Sequence, residues 1–240
     1  MRKLIPKKID VVILCGGLGT RLKIAVNDRP KPMAEIGGKP FLDILIKYIF
    51  SFGFRRFLLC TGYKGDVISA HIKKSYNKAK GDFLVIREKK RLRTGGAVKN
   101  AASFIKSDIF MVLNGDSFCK VDLLKFMDFH KFKKAKISMV LSKVSSNADC
   151  GVVELGSNSE VSMFKEKGLR AEKCLVNAGI YLFDKDVFGL FPLKESFSLE
   201  NDFFPSLQGC IFGFVTAQPI IDIGTPGRYK KAQLFFGAAK

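Results

Sequence analysis

The run Val11-Val12-Ile13-Leu14-Cys15-Gly16-Gly17-Leu18-Gly19-Thr20-Arg21-Leu22 sets the reading of this chain. Five consecutive apolar residues predict a strand buried on both faces, and a glycine-rich turn follows at once. Three glycines in the four positions 16–19 let the backbone approach a ligand and turn N–H groups toward an anion. No Gly-Lys-Ser/Thr follows, so this is not a Walker A loop, and Leu22 stands where a dinucleotide fingerprint needs its third glycine. By itself the run fits a structural turn as well as a phosphate loop. Arg21 adds a fixed cation with planar donors at the loop's exit.

Outward from this strand the pattern alternates. Helical spacing is expected over Phe41–Phe52 (closed by Gly53), Val67–Tyr76, Gly96–Phe104 and Leu123–Phe132. Strands are expected at Arg56–Cys60, Phe83–Ile86 and Ile109–Leu113. Such alternation builds parallel βαβ units with helices on both faces. The later half is richer in strands, at Lys136–Leu141, Gly151–Leu155, Val176–Phe183 and Ile211–Val215, before Pro226 opens a last helix. The expected fold class is α/β: a Rossmann-like mixed, mostly parallel sheet flanked by helices, with a smaller β-rich lobe. No composition break or repeat divides the 240 residues, so a single domain is expected, with halves at about 1–135 and 136–240.

Charge and cysteines bound the function classes. Forty-one Lys+Arg against 22 Asp+Glu leave a net charge of +19. That excess suits phosphate-bearing partners, and equally a lysine-rich surface with no partner at all. No zinc finger, aromatic RNA-binding motif or recognition-helix pattern supports nucleic acid. No apolar run approaches the ~20 residues of a membrane span, and the basic start followed by five apolar residues is too short for a signal peptide. The six cysteines form no Cys-x-x-Cys pair and sit mostly beside apolar residues, as buried free thiols do, so a reduced, cytoplasmic setting is expected. The two histidines, His71 and His130, have no ligand cluster around them and are expected on helix surfaces.

Ligands of open α/β sheets bind beyond the carboxyl ends of the strands, so residues after Cys15, Ile86 and Leu113 carry most interest. Pro30-Lys31-Pro32-Met33 brackets a lysine between two prolines, which hold it in extended backbone, either as an electrostatic clamp or in a stiff surface loop. Asn114-Gly115-Asp116 ends the fourth expected strand on a carboxylate suited to a hard cation. A second carboxylate, Asp222, lies in Ile220-Ile221-Asp222-Ile223-Gly224-Thr225-Pro226, either as a ligand or as a strand-end cap.

Together, Gly-Gly-x-Gly-Thr-Arg-Leu and Pro-Lys-Pro-Met resemble the sugar-phosphate nucleotidylyltransferases. Asp28-Arg29-Pro30-Lys31-Pro32-Met33 with Gly38-Lys39-Pro40-Phe41-Leu42 is most similar to the heptose 1-phosphate guanylyltransferase branch. The resemblance implies transfer of a nucleoside monophosphate from an NTP to a sugar 1-phosphate, with release of pyrophosphate. It implies Mg²⁺ as cofactor, held by Asp116 and Asp222, with Arg21 and Lys31 as catalytic cations. Leu14, Gly16, Gly17, Gly19, Thr20, Thr94, Gly95 and Asn114 would line the nucleotide. Glu88 falls at the base-reading position. A carboxylate offers only acceptors and suits the paired N–H donors of guanine, so GTP is expected. Gly151, Glu166, Lys167, Asn177 and Glu200 would meet the sugar phosphate, in the later half of the chain.

The sequence departs from the family pattern at three places. Arg91 stands at a usual proline, Arg93 at a usual glycine, and Gly168 after Lys167 at a usual proline. The run Lys89–Arg93 fits either a basic lid over the triphosphate or a solvated charge run. A hexose 1-phosphate or another NTP is the alternative within the family, and a basic nucleic-acid-binding protein the distant one. The expected partners are therefore GTP and a sugar 1-phosphate, without nucleic acid or membrane, in a chain that could self-associate.

Overall fold

The computed structural model describes residues 4–17, 29–77, 81–144, 151–165 and 174–237. Among the described residues thirteen strands and five α-helices follow one another: β1 (Asp10–Leu14), β2 (Glu35–Ile36), β3 (Lys39–Pro40), α1 (Phe41–Ser51), β4 (Arg56–Thr61), α2 (Gly65–Tyr76), β5 (Asp82–Arg87), α3 (Arg93–Asn100), β6 (Ile109–Asn114), β7 (Ser117–Cys119), α4 (Leu123–Phe132), β8 (Ile137–Val144), β9 (Val152–Leu155), β10 (Val161–Lys165), β11 (Cys174–Asp184), β12 (Ile211–Thr216), β13 (Ile220–Asp222) and α5 (Pro226–Gly237). The α/β reading holds, and every strand and helix expected from periodicity is present to within a few residues. The two- and three-residue β2, β3, β7 and β13 are too brief to leave a periodic signal, and β10, Val161-Ser162-Met163-Phe164-Lys165, is not among the expected strands.

Nine strands form one mixed sheet. On one side β5, β4, β1 and β6 run parallel. The chain goes from β1 to β4 and β5 on one flank, and only then to β6 on the other. The crevice between the carboxyl ends of β1 and β6 is therefore the topological switch point, where open α/β sheets take their ligands.

The sheet changes character at β11, which is antiparallel to β6, β8 and β9. Its start pairs β9 and its end pairs β6, so this one long strand joins the two halves of the chain. Its register against β8 shifts between Asn177 and Tyr181, and Gly179 there has φ +72°. A bulge of this kind re-aims a side chain. Here the side chain is Asn177.

Alternation along the buried strands loads two faces. Val11 and Ile13 join Leu42, Ile46 and Ile49 of α1, Ile68 of α2 and Phe126 of α4 on one face. Val12, Leu58 and Val112 join Ala97 and Val98 of α3 with Phe197, Phe203 and Phe204 on the other. Helix α1 ends where Gly53 takes φ +94°, a position with no steric cost for glycine. Asp122 caps α4, its carboxylate accepting from the Leu124 and Lys125 amides at 3.0 Å each. No helix of the described residues is long and apolar enough to cross a membrane.

Three expectations are corrected here. Neither histidine is a free surface group: His130 is 1% exposed and hydrogen-bonds Ser138 Oγ at 2.8 Å, while the His71 ring sits 2.8 Å from Asp43 between α2 and α1. Helix α3 starts at Arg93 rather than Gly96. Arg93, Thr94 and Gly95 add no apolar residue to the helical spacing, so nothing local marks the earlier start. The Phe197 carbonyl accepts from the amides of Gly95 (2.9 Å) and Gly96 (3.1 Å), and so satisfies two of the helix's orphan donors. Lys31 is not in extended backbone but opens a 3₁₀ turn, Lys31–Met33. Of the described cysteines, Cys15, Cys60, Cys119 and Cys174 are buried thiols and Cys210 is exposed.

Candidate active site

Backbone bonds draw the carboxyl ends of four parallel strands together. The Cys15 amide donates to Cys60 O (2.7 Å), Glu88 to Thr61 O (2.8 Å) and Gly115 to Leu14 O (2.9 Å). The loops after β1, β4, β5 and β6 thus share one surface, with Leu14 as the last residue of β1. A Cβ on Gly62 would lie 2.9 Å from Gly16 O, so the β4 loop passes directly over the first glycine. A Cβ at Gly16 would lie 2.5 Å from Glu88 Oε1, whereas one on Gly17 would meet nothing within 4 Å. The glycine at position 16 is what lets the Glu88 carboxylate rest on the loop.

Glu88 Oε2 also accepts from the Leu92 amide at 3.3 Å. Burial pushes the Glu88 carboxyl above its usual range, and the Leu92 N–H only partly offsets this. Among the described residues the other oxygen, Oε1, accepts no hydrogen bond, and it faces the first glycine of the loop.

At the switch point, Lys31 Nζ donates to Asp116 Oδ2 at 2.9 Å, with the lysine side chain 13% exposed and the aspartate 38%. Two short strands then bring the second carboxylate alongside. β13 pairs antiparallel to β7 with Asp222 opposite Ser117, and the Ile223 amide donates to Asp116 O at 3.0 Å. Asp222 Oδ1 accepts from Gly224 N at 2.9 Å, and its Oδ2 lies 3.2 Å from Arg228 Nη1. Two carboxylates, each beside a cation, occupy adjacent backbone positions although 106 residues separate them in the chain. Sequence reading missed Arg228, which is one basic residue among 41 and sits in the first turn of α5.

A third group of residues forms a hydrogen-bonded chain. Glu200 Oε2 accepts from Thr94 Oγ1 at 2.7 Å and Ser198 Oγ at 2.8 Å, while Tyr181 donates to Oε1 at 3.3 Å. The Tyr181 oxygen accepts from Asn177 Nδ2 at 2.8 Å, and Asn177 Oδ1 accepts from Gly179 N at 2.9 Å. Burial pushes the Tyr181 hydroxyl well up, so it remains a neutral donor. Tyr181 and Ser198 were not among the sequence candidates; a buried tyrosine in an apolar strand reads as core. Asn114, at the end of β6, lies against Gly179, where a Cβ would sit 2.6 Å from its Nδ2. Its Oδ1 is buried and accepts no hydrogen bond among the described residues.

The structure thus brings Leu14, Gly16, Glu88, Asn114, Lys31, Asp116 and Asp222 to the carboxyl ends of the parallel strands, and joins Thr94, Asn177 and Glu200 in one network. The Gly95 amide is committed to Phe197 O, so this residue contributes a packing position rather than a free N–H. Gly151 lies one residue before β9, and no contact among the described residues ties it to the network. Gly19, Thr20, Arg21, Glu166 and Lys167 lie outside the described residues.

A model of the nucleotidyl transferase family matches residues 10–232. The D-glycero-alpha-D-manno-heptose 1-phosphate guanylyltransferase of Campylobacter jejuni is 38% identical over 226 residues, covering 92% of this chain and 97% of that protein. The protein of the same name from Aneurinibacillus thermoaerophilus is 36% identical over 227 residues, covering 94% and 97%. The crystal structure of HddC from Yersinia pseudotuberculosis complexed with GMP-PN superposes with a TM-score of 0.85 at 37% identity, covering 95% of this chain and 99% of that one. A family match over nearly the whole chain, near-full-length relatives and a shared fold agree: the chain belongs to the nucleotidyl transferase family.

Proposed function

We propose that this protein transfers GMP from GTP to D-glycero-α-D-manno-heptose 1-phosphate, forming the GDP-sugar and pyrophosphate. The observation that carries the reading is the pairing of Asp116 and Asp222 across β7 and β13 at the switch point, with Lys31 on Asp116. The names of the two near-full-length relatives and the GMP-PN complex of HddC support guanine and heptose as the specific choices.

A phosphate oxygen of the sugar phosphate attacks the α-phosphorus in line; the new P–O bond forms as the bond to the pyrophosphate oxygen breaks. That nucleophile is already anionic near neutral pH, because a phosphomonoester's second pKa is about 6. No general base is required, and the chain's own work is alignment and charge neutralisation. Arg21 and Lys31 face the triphosphate, and Lys167 holds the attacking phosphate. Leu14, Gly16, Gly17, Gly19, Thr20 and Asn114 line the nucleotide. Asn177 and Glu200, with Gly151 and Glu166, read the sugar.

Two aspartates with no third acidic, histidine or cysteine ligand among the described residues match Mg²⁺, which takes one or two carboxylates and completes its shell with substrate phosphates. Bound there, the ion supplies charge neutralisation at the reacting phosphates.

Incubation with each of the four NTPs, Mg²⁺ and a panel of heptose, mannose and glucose 1-phosphates tests the reading by pyrophosphate release. GTP with heptose 1-phosphate is expected to give the highest kcat/KM. Absence of pyrophosphate from GTP with every sugar, or a higher value with another NTP, overturns it.

Glu88→Gln puts an amide donor against one of guanine's two N–H donors. The KM for GTP is expected to rise about 10- to 100-fold, as for loss of one hydrogen bond to a charged group, with little change in melting temperature. An unchanged preference among NTPs removes Glu88 as the base reader.

A further inference from the structure

The segment 88–96 beside the glycine loop and the segment 195–202 bearing Glu200 are joined along their whole length. The Phe197 amide donates to Leu92 O at 3.1 Å, and the Gly95 and Gly96 amides return to Phe197 O. Lys90 pairs with Glu195, and Thr94 donates to Glu200. At the centre, Arg93 Nη1 lies 2.8 Å from Asp202 Oδ2, an oxygen that also accepts the Ser198 amide at 2.7 Å. Lys194 Nζ stands 3.6 Å from the other oxygen.

Arg93 is anomalous in this seam. Its φ is +62°, a left-handed backbone that side chains rarely adopt and glycine takes freely. The family pattern has glycine at this position. A long charged residue in this conformation carries backbone strain that its surroundings must offset, and the contact its guanidinium makes is to Asp202. The Ser198 amide and the nearby cations keep the Asp202 carboxyl below its usual range, so the pair stays ionised through neutral and mildly acidic pH.

We propose that Arg93 is a positioning residue that couples the two substrate sites, its ion pair with Asp202 locking the Glu200 segment to the Glu88 segment. This rests on the guanylyltransferase reading above. Glu88 is bonded to the Leu92 amide, and Leu92 and Arg93 are bonded to Phe197 and Asp202, which flank Glu200 in the chain. A guanine that engages Glu88 therefore orders Glu200 through a continuous run of hydrogen bonds and one ion pair, before the sugar phosphate arrives. Such coupling is reciprocal between the two ligands.

Arg93→Gly tests this without backbone conflict, because glycine fits the observed φ. The expected result is a rise of about fivefold in KM for the sugar 1-phosphate, the scale of a half-exposed ion pair. By reciprocity KM for GTP at saturating sugar 1-phosphate rises by the same factor, while the Kd of GTP alone and kcat stay within about twofold, and the melting temperature does not fall. Asp202→Asn is expected to do the same, and the double variant to be no worse than either single one. Amide hydrogen exchange reads the coupling without any sugar. In the wild type GTP protects both 88–96 and 195–203, and in Arg93→Gly only the first. Equal protection of 195–203 in both proteins, or a comparable weakening of the Kd of GTP alone in Arg93→Gly, overturns the coupling. If GTP protects neither segment in the wild type, the guanylyl reading itself fails, and the coupling with it.

Discussion

Asp116→Ala leaves a folded protein whose kcat for nucleotide-sugar formation is about 10²–10³-fold below wild type, the range seen when one preorganised charge contact to a reacting group is removed. Fold retention follows from position. Asp116 lies in the turn after β6, 38% exposed, so its loss opens no cavity in either face of the sheet. The backbone bond that anchors β13 uses the Asp116 carbonyl, which alanine keeps. What disappears is the carboxylate beside Lys31 and Asp222. The Lys31 ammonium, 13% exposed, is left without its counter-charge. A modest fall in melting temperature is therefore expected alongside the large fall in turnover, because one partner of a largely buried pair has been removed. Pyrophosphate release set beside a thermal melt separates the two effects. Wild-type turnover in Asp116→Ala removes this residue from the catalytic set. Collapse of the fold would instead give Asp116 a structural role.

Phe197→Ala is the corresponding prediction for stability, with a cost of about 3–5 kcal/mol. Phe197 is fully buried, edge-on to Phe191 at 5.3 Å and to Phe203 at 6.3 Å between centroids. Its ring fills the space that a Cβ on Gly95 would occupy. Truncation leaves a void bounded by rigid rings and the first turn of α3, so little can collapse into it. For a chain of this size the melting temperature is expected to drop by roughly 10 °C. The Phe197 carbonyl still caps Gly95 and Gly96, so the secondary structure of the surviving folded protein stays the same by circular dichroism. A drop of under about 2 °C would mean that the ring is not the support of α3. The same ring explains why two consecutive glycines open a helix: a side chain at Gly95 would collide with it.

Much of the fold was legible because each long strand and helix carries its own signal. Val11–Cys15, Phe57–Cys60 and Ile109–Leu113 are apolar without a break, as strands covered by helices on both faces read. Leu42, Leu45, Ile46 and Ile49 repeat at helical spacing on α1. The start of α3 was not legible, since its helical state depends on Phe197, about 100 residues further on. Nor was the burial of His130, which Ser138 and Asp184 accommodate from other elements. Glu88 and Asp116 could be singled out because each follows a strand whose carboxyl end was predictable. Tyr181, Ser198 and Arg228 carried no such flag.

By itself the sequence determined the α/β class, the strand order along the chain and the loops where ligand chemistry gathers, because periodicity and turn residues are local properties. Only the tertiary structure decided which distant residues meet. It set Asp222 beside Asp116 through two three-residue strands, rested Glu88 on Gly16, and hung Glu200 from Thr94 and Tyr181. Those contacts are set by strand register, a bulge and the absence of a few side chains. Each acts across a hundred residues or between neighbouring loops, where no periodic pattern reaches.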